Sequence, residues 1–141
     1  MSETFFSSKE AAKITGCTLR QLQYWREKGV IVPVISATGT GKSIYYSQSN
    51  LVELAVMQHW LSLGLSFEVA RDNLERLRKK EPQFVDPKTD KRFMLLWSEK
   101  EKDLQLEEFE RENAIASLDS GQPVIPVWLD QIHSELTKKM K

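Results

Sequence analysis

The sequence is poor in the residues from which small catalytic and metal sites are built. One cysteine, Cys17, stands among 141 residues, which excludes an internal disulfide and fits a reducing compartment. The two histidines, His59 and His133, lie far apart, and neither has partners at metal-ligand spacing. No apolar run approaches the ~18 residues of a membrane span, and Met1-Ser2-Glu3-Thr4 does not open a signal peptide. These absences lead to the expectation of a cytoplasmic protein without cofactor, metal or enzymatic activity. Net charge is also lacking: 20 Lys and Arg balance 20 Asp and Glu. Taken whole, that balance argues against a polyanionic partner. A charged fraction of 28% and a hydrophobic fraction of 40% otherwise describe an ordinary globular chain.

The zero conceals a division. Residues 1–80 carry 11 Lys and Arg against 7 Asp and Glu, a net of +4. Residues 81–141 carry 9 against 13, a net of −4. Asymmetry of this kind is expected when one half of a chain meets a polyanion.

The local signals begin with Ser7-Ser8-Lys9-Glu10, a capping box that opens a helix closed at Gly16. Cys17 fills the turn, where a small apolar residue packs. Thr18-Leu19-Arg20-Gln21 then offers a second capping box, and this helix stops at Gly29. Two helices joined so tightly form a helix-turn-helix. On the second helix, 100° spacing places Leu19, Leu22 and the stem of Arg26 on one side. Arg20, Tyr24 and Lys28 fall opposite, flanked by Gln21 and Glu27. Cations, amides and a phenol are the groups that reach phosphates and base edges.

Val30 to Val34, β-branched and interrupted by Pro33, predicts a short edge strand. A second β-type run, Ser43 to Tyr46, follows the flexible loop 36–42, so the pair reads as a hairpin wing. The loop ends Gly39-Thr40-Gly41-Lys42-Ser43 and so offers a distant alternative, a nucleotide-binding P-loop. Ser36 stands where such a loop has its first glycine, and Ile44-Tyr45-Tyr46 makes a better strand than helix start. A third helix is expected from Ser47 to Gly64 and a fourth from Ser66 to Pro82. Beyond it, Phe93 to Trp97 and Leu104 to Leu106 predict strands, and Glu107 to Leu118 a helix. Val124 to Leu129, with Pro126 inside, predicts an edge strand, and Gln131 to Lys139 a last helix. Trp25, Trp60, Trp97 and Trp128 are assigned to core or interface.

The order of these pieces resembles the MerR family of bacterial transcription regulators. The likeness is carried by residues 12–16, Leu22-Gln23-Tyr24-Trp25, Gly29-Val30-Ile31-Val32-Pro33, Gly41 through Ser47, and Leu63-Gly64-Leu65-Ser66. The resemblance implies a winged helix-turn-helix that binds a pseudo-palindromic promoter as a homodimer and acts by altering DNA shape. Its partners would be double-stranded DNA and RNA polymerase at the promoter, with the protein associated with the nucleoid when bound. By position, Gln21, Gln23 and Tyr24 fall on the family's recognition helix, and Lys42, Ser43 and Tyr46 on the wing that grips the backbone. Ile44 replaces an arginine common in that wing. The long dimerisation helix and C-terminal cysteines of the metal sensors are absent, which points to a non-metal-sensing subgroup with a short α/β tail. That tail is carried chiefly by residues 121–129.

The fold class expected is mainly α (α+β): a winged helix-turn-helix domain over 5–80, including two further helices, and a small α+β segment over 81–141. The segment would serve dimerisation or effector and partner binding. The DNA-binding residues expected are Thr18, Arg20, Gln21, Gln23, Tyr24, Lys28, Lys42, Ser43, Tyr45 and Tyr46. A second function in view is an architectural, excisionase-like factor that bends DNA. With its acidic half removed after Lys80, the basic half is expected to show stronger non-specific DNA binding and impaired dimerisation.

Overall fold

A computed structural model describes residues 4–36 and 43–140. Helix α1 (Ser8–Thr15) begins on the expected box: the Ser7 hydroxyl accepts the Glu10 N–H at 3.2 Å, and the Glu10 carboxylate accepts the Ser7 N–H at 2.8 Å. Its end turns on Gly16, whose φ of 81° is open to glycine and strained for other residues. Helix α2 (Leu19–Glu27) starts two residues later from Thr18, again with a reciprocal pair to Gln21. Both caps satisfy amide groups that a helix start leaves open.

The first sheet differs from expectation. Strands β1 (Phe6–Ser7), β2 (Ile35–Ser36) and β3 (Ile44–Tyr46) form an antiparallel sheet in the order β1-β3-β2. Tyr45 stands opposite both Ser7 and Ile35. Val30 to Val34 is not a strand. Val30 and Ile31 instead turn into the core, and side chains from elsewhere in the chain satisfy the segment's polar backbone.

Helix α3 (Gln48–Ser62) is capped by Ser47 and forms the centre of the molecule, with Leu51, Leu54, Val56, Met57 and Trp60 all at 0% exposure. Burial on every side explains why its sequence is apolar all round. Helix α4 (Phe67–Lys80) follows Gly64 and the Ser66 cap, and a 3₁₀ turn covers Pro82–Val85. A second antiparallel sheet joins β4 (Arg92–Ser98), β5 (Asp103–Glu108) and β6 (Val124–Trp128) in the order β5-β4-β6. Pro126 lies on an edge strand, as its missing N–H requires. Helix α5 (Arg111–Asp119) is shorter than expected, because Glu107 and Glu108 pair with Met94 and Phe93 instead of opening it. The chain closes with α6 (Leu129–Met140).

One hydrophobic core runs through both charge halves, joining Leu22, Trp25, Ile31, Leu54, Trp60 and Leu74 to Phe93, Leu95, Leu106, Val127, Leu129 and Leu136. Two polar links stitch the same boundary. The Asn73 amide donates to the Leu104 carbonyl at 3.1 Å. The second runs from His59 Nε2 to the Pro126 carbonyl at 2.8 Å; within the acidic half, buried His133 Nε2 meets the Phe84 carbonyl at 2.9 Å. A carbonyl can only accept, so Nε2 is the donor in each histidine.

Candidate nucleic-acid interface

Helix α2 divides by burial. Leu22 and Trp25 enter the core at 1% and 2% exposure, and Arg26 is half-buried. Leu19 is the correction: periodicity predicts it inside with Leu22, yet it is 49% exposed. It is the first residue of the helix, and Trp25 takes the inner place beside Leu22 instead. Arg20, Gln23, Tyr24, Glu27 and Lys28 are exposed.

The outer face is organised beyond simple exposure. The Tyr24 ring stands edge-on to Phe67 of α4, with centroids 5.1 Å apart, and the Lys28 ammonium lies 5.6 Å from the Tyr24 centroid. Arg71 covers the other aromatic, 5.6 Å from the Phe67 centroid, while pairing with Asp72 at 3.1 Å. The first two turns of α4 therefore add Phe67 and Arg71 to the surface around Tyr24. Sequence reading misses both; the available signal is an aromatic at the first position after the Ser66 cap, where it is half-buried at the edge of the core. Gln23 donates to Glu27 at 3.1 Å, leaving its carbonyl oxygen to accept. Gln21 is half-buried and its carbonyl oxygen is engaged by the Thr18 N–H at 2.9 Å, so only its NH₂ is available. Thr18 spends its hydroxyl on the Gln21 N–H.

On the first sheet, Ser43 and Tyr45 are exposed, and Lys42 lies outside the described residues. Tyr46 does not join them. It is 0% exposed, and its position, one along the strand from Tyr45, turns its side chain to the opposite face. Burial pushes its phenol pKa up, opposed by the nearby Arg26 guanidinium, and its hydroxyl has no hydrogen-bond partner among the described residues. Tyr46 thus supports the sheet from below, and Tyr45 is the tyrosine available to a phosphate. Tyr46→Phe is expected to leave DNA affinity within about twofold and stability unchanged or slightly raised, because it removes a buried, unpaired hydroxyl. Tyr45→Ala should weaken binding; parallel titrations and thermal melts of the two variants check the contrast.

The segment between α2 and β2 is held by a polar network that the sequence does not reveal. Arg78 donates to the Val30 carbonyl at 2.7 Å and to Glu53 at 2.8 and 2.9 Å, and it also pairs with Glu75. Asn50 accepts from the N–H groups of Ser47 and Val34 at 3.0 and 3.1 Å. Its NH₂ donates to the Val32 carbonyl at 3.2 Å and to Glu53 at 3.3 Å. Helices α3 and α4 thereby set the path from the exposed face of α2 to the first sheet.

Other chemistry is thin. Cys17 is buried, donates weakly to the Leu54 carbonyl at 3.7 Å, and has its thiol pKa pushed up to about 11 by burial, with the Thr15 hydroxyl opposing. Among the described residues no cluster of three His, Cys, Asp or Glu converges. Ser43 runs into β3, and the next helix begins only at Gln48, so the P-loop alternative lacks the helix that its phosphate cradle would need. No helix of the described residues is long and apolar enough to cross a membrane.

A tight helix–turn–helix, with a cation- and amide-bearing outer face on its second helix, defines a helix-turn-helix protein of the DNA-binding kind. The family model for the MerR HTH family regulatory protein matches residues 6–77. The chain belongs to that family. It is similar to the uncharacterised HTH-type transcriptional regulators Mb1861 of Mycobacterium bovis and Rv1830 of Mycobacterium tuberculosis, each 33% identical over 76 residues. The match covers 53% of this chain and 34% of either relative, so the chain spans about a third of the length of the curated relatives it matches. Among the described residues, six α-helices and two small antiparallel sheets make it an α+β protein.

Proposed function

We propose that the chain is a winged helix-turn-helix transcription regulator that binds a pseudo-palindromic promoter site as a homodimer. The observation that carries this reading is the outer face of α2, where exposed Arg20, Gln23, Tyr24 and Lys28 stand together and α4 buttresses the ring of Tyr24. Arg20, Gln21, Gln23 and Tyr24 enter the major groove, with Lys28 at its border and Thr18 at the helix start. The β2–β3 hairpin acts as the wing, and Lys42, Ser43 and Tyr45 hold phosphates. Residues 5–80 supply the DNA-binding surface, and 81–141 supply contacts to the second copy or to another partner. In this reading the protein works in the cytoplasm on the nucleoid, at promoters used by RNA polymerase, and performs no catalysis.

Phosphate contacts contribute most of the affinity and make it salt-dependent. Arg20→Ala and Lys42→Ala are each expected to weaken binding and to lower the slope of log affinity against log salt by about 0.9 for each phosphate left without its cation. Fluorescence titrations over a salt series check this, and an unchanged slope in both variants would sink the assignment. A genome-wide binding map places the site: occupancy at recombination attachment sites instead of promoters would favour the DNA-bending alternative.

A further inference from the structure

Helix α5 covers the second sheet with one side only. Ala114 is buried at 6% exposure and Ser117 is half-buried, whereas Ile115 is 47% and Leu118 54% exposed. Apolar residues on both sides of a helix are expected when both sides are covered. Here the described chain covers one.

The bare side is charged in a particular order. Arg111 and Asp119 stand four positions to either side of Ile115, and Glu112 and Leu118 stand three positions to either side. At 100° per residue these five residues share one face, arranged symmetrically about Ile115. Arg111 begins the helix and Asp119 ends it, and no basic residue lies in the last turn. Each of these two charges sits at the end of the helix that disfavours it. Neither forms an ion pair among the described residues. An antiparallel copy of the same helix reverses both mismatches at once. Arg111 then faces the partner's Asp119 and the negative end of the partner's helix, twice over, while Ile115 meets Ile115 on the axis and Leu118 flanks it. A two-fold interface must be self-complementary in this way.

We propose that the α5 face of Arg111, Ile115, Leu118 and Asp119 is the surface on which two copies of this chain pair, antiparallel about Ile115. This rests on the dimer reading above and gives it a location. The neighbouring outer face of the second sheet extends the surface through half-buried Leu96 and Val124, which pair directly across β4 and β6. Nine helical residues fall well short of the ~800 Å² per partner of a standard interface. The pair is therefore weak in free solution and strengthened on DNA, where adjacent half-sites raise the effective concentration.

Sedimentation velocity of the full chain over a concentration series tests the location. The wild-type chain is expected to show a reversible monomer–dimer equilibrium. Ile115→Glu combined with Leu118→Glu should raise its dissociation constant at least about tenfold by placing like charges on the axis. Because both side chains are exposed in the monomer, the melting temperature at low concentration should be unchanged. Arg111→Asp alone should also weaken the dimer, and Arg111→Asp with Asp119→Arg should restore it, since each altered charge again meets its opposite. A dimer that ignores all three variants overturns the α5 assignment and leaves the dimer reading standing. A wild-type chain that is monomeric at every concentration and binds DNA as one copy overturns both.

Discussion

Arg78→Ala is expected to destabilise the protein by about 2–3 kcal/mol and to weaken DNA binding while leaving its salt slope intact. The side chain is 27% exposed and its partner Glu53 16%, so the pair lies between a surface bridge worth little and a buried pair whose rupture costs ~3–5 kcal/mol. Removing the guanidinium leaves the Glu53 carboxylate with Asn50 as its remaining donor, and it strips the Val30 carbonyl of its partner. Val30, Val32 and Val34 would lose the first of their side-chain anchors along the path from α2 to β2. Two exposed surfaces, the α2 face and the first sheet, would then be held less firmly relative to one another. Arg78 itself touches no exposed part of either surface, so the loss falls on how the DNA-facing groups are oriented and not on how many there are. Arg78→Lys should recover only a fraction, because an ammonium cannot reproduce the fork that reaches Glu53 and Val30 together. Urea unfolding and DNA titrations at several salt concentrations separate the effects. A stability loss below about 0.5 kcal/mol would show that the network is not what fixes this path.

The same network marks where sequence reading stops. Capping boxes at Ser7 and Thr18 are legible because both partners lie three residues apart and the chemistry is local. The turn at Gly16, the stop near Gly64 and the edge strand containing Pro126 are legible for the same reason. Val30 to Val34 is not: its β-branched composition favours a strand, but the Val30 and Val32 carbonyls and the Val34 N–H are met by side chains 16 to 48 positions away. The start of α5 fails likewise, because helix-compatible Glu107 and Glu108 are captured by strand β4. On the interface, the exposure of Arg20, Tyr24 and Lys28 can be placed from helical periodicity alone, and Gln23 comes only from the family resemblance. Leu19 cannot, since its side is set by how the first turn meets the core, and Phe67 and Arg71 join Tyr24 only through the packing of α4 beside α2. Tyr45 and Tyr46 illustrate the limit most simply. Adjacent tyrosines on a strand must face opposite ways, but which one faces out depends on the register with Phe6 and Ser7.

A chain ending at Lys80 is expected to lose its cooperative unfolding transition and its specific DNA binding, despite keeping the whole basic half. Charge alone suggests the opposite, a freed module of net +4 with stronger non-specific binding. The shared core decides against it. Leu74 and Leu77 of α4, Trp60 of α3 and Ile14 of α1 belong to the same cluster as Leu95, Leu106, Val127, Leu129 and Leu136, which the cut removes. The amide of Asn73, 0% exposed in the full chain, would lose the Leu104 carbonyl, and His59 would lose that of Pro126. A chain of about 80 residues is already near the size at which a core becomes marginal, and exposing one wall of it leaves little margin. The network around Arg78 would remain, but α4, which carries it, would be packed on one side only. Within the full chain, Leu136→Ala offers a graded form of the same test. Leucine at 5% exposure, replaced by alanine, should cost about 2–5 kcal/mol, and the loss should appear as reduced amide protection in α1 and α3 as well as in α6. Near-UV circular dichroism and hydrogen exchange measure both variants. A truncated chain that melts sharply and keeps the full chain's site preference would mean that the acidic half only shields the basic one, whereas loss of protection in α3 would mean that it holds the DNA-binding half in shape.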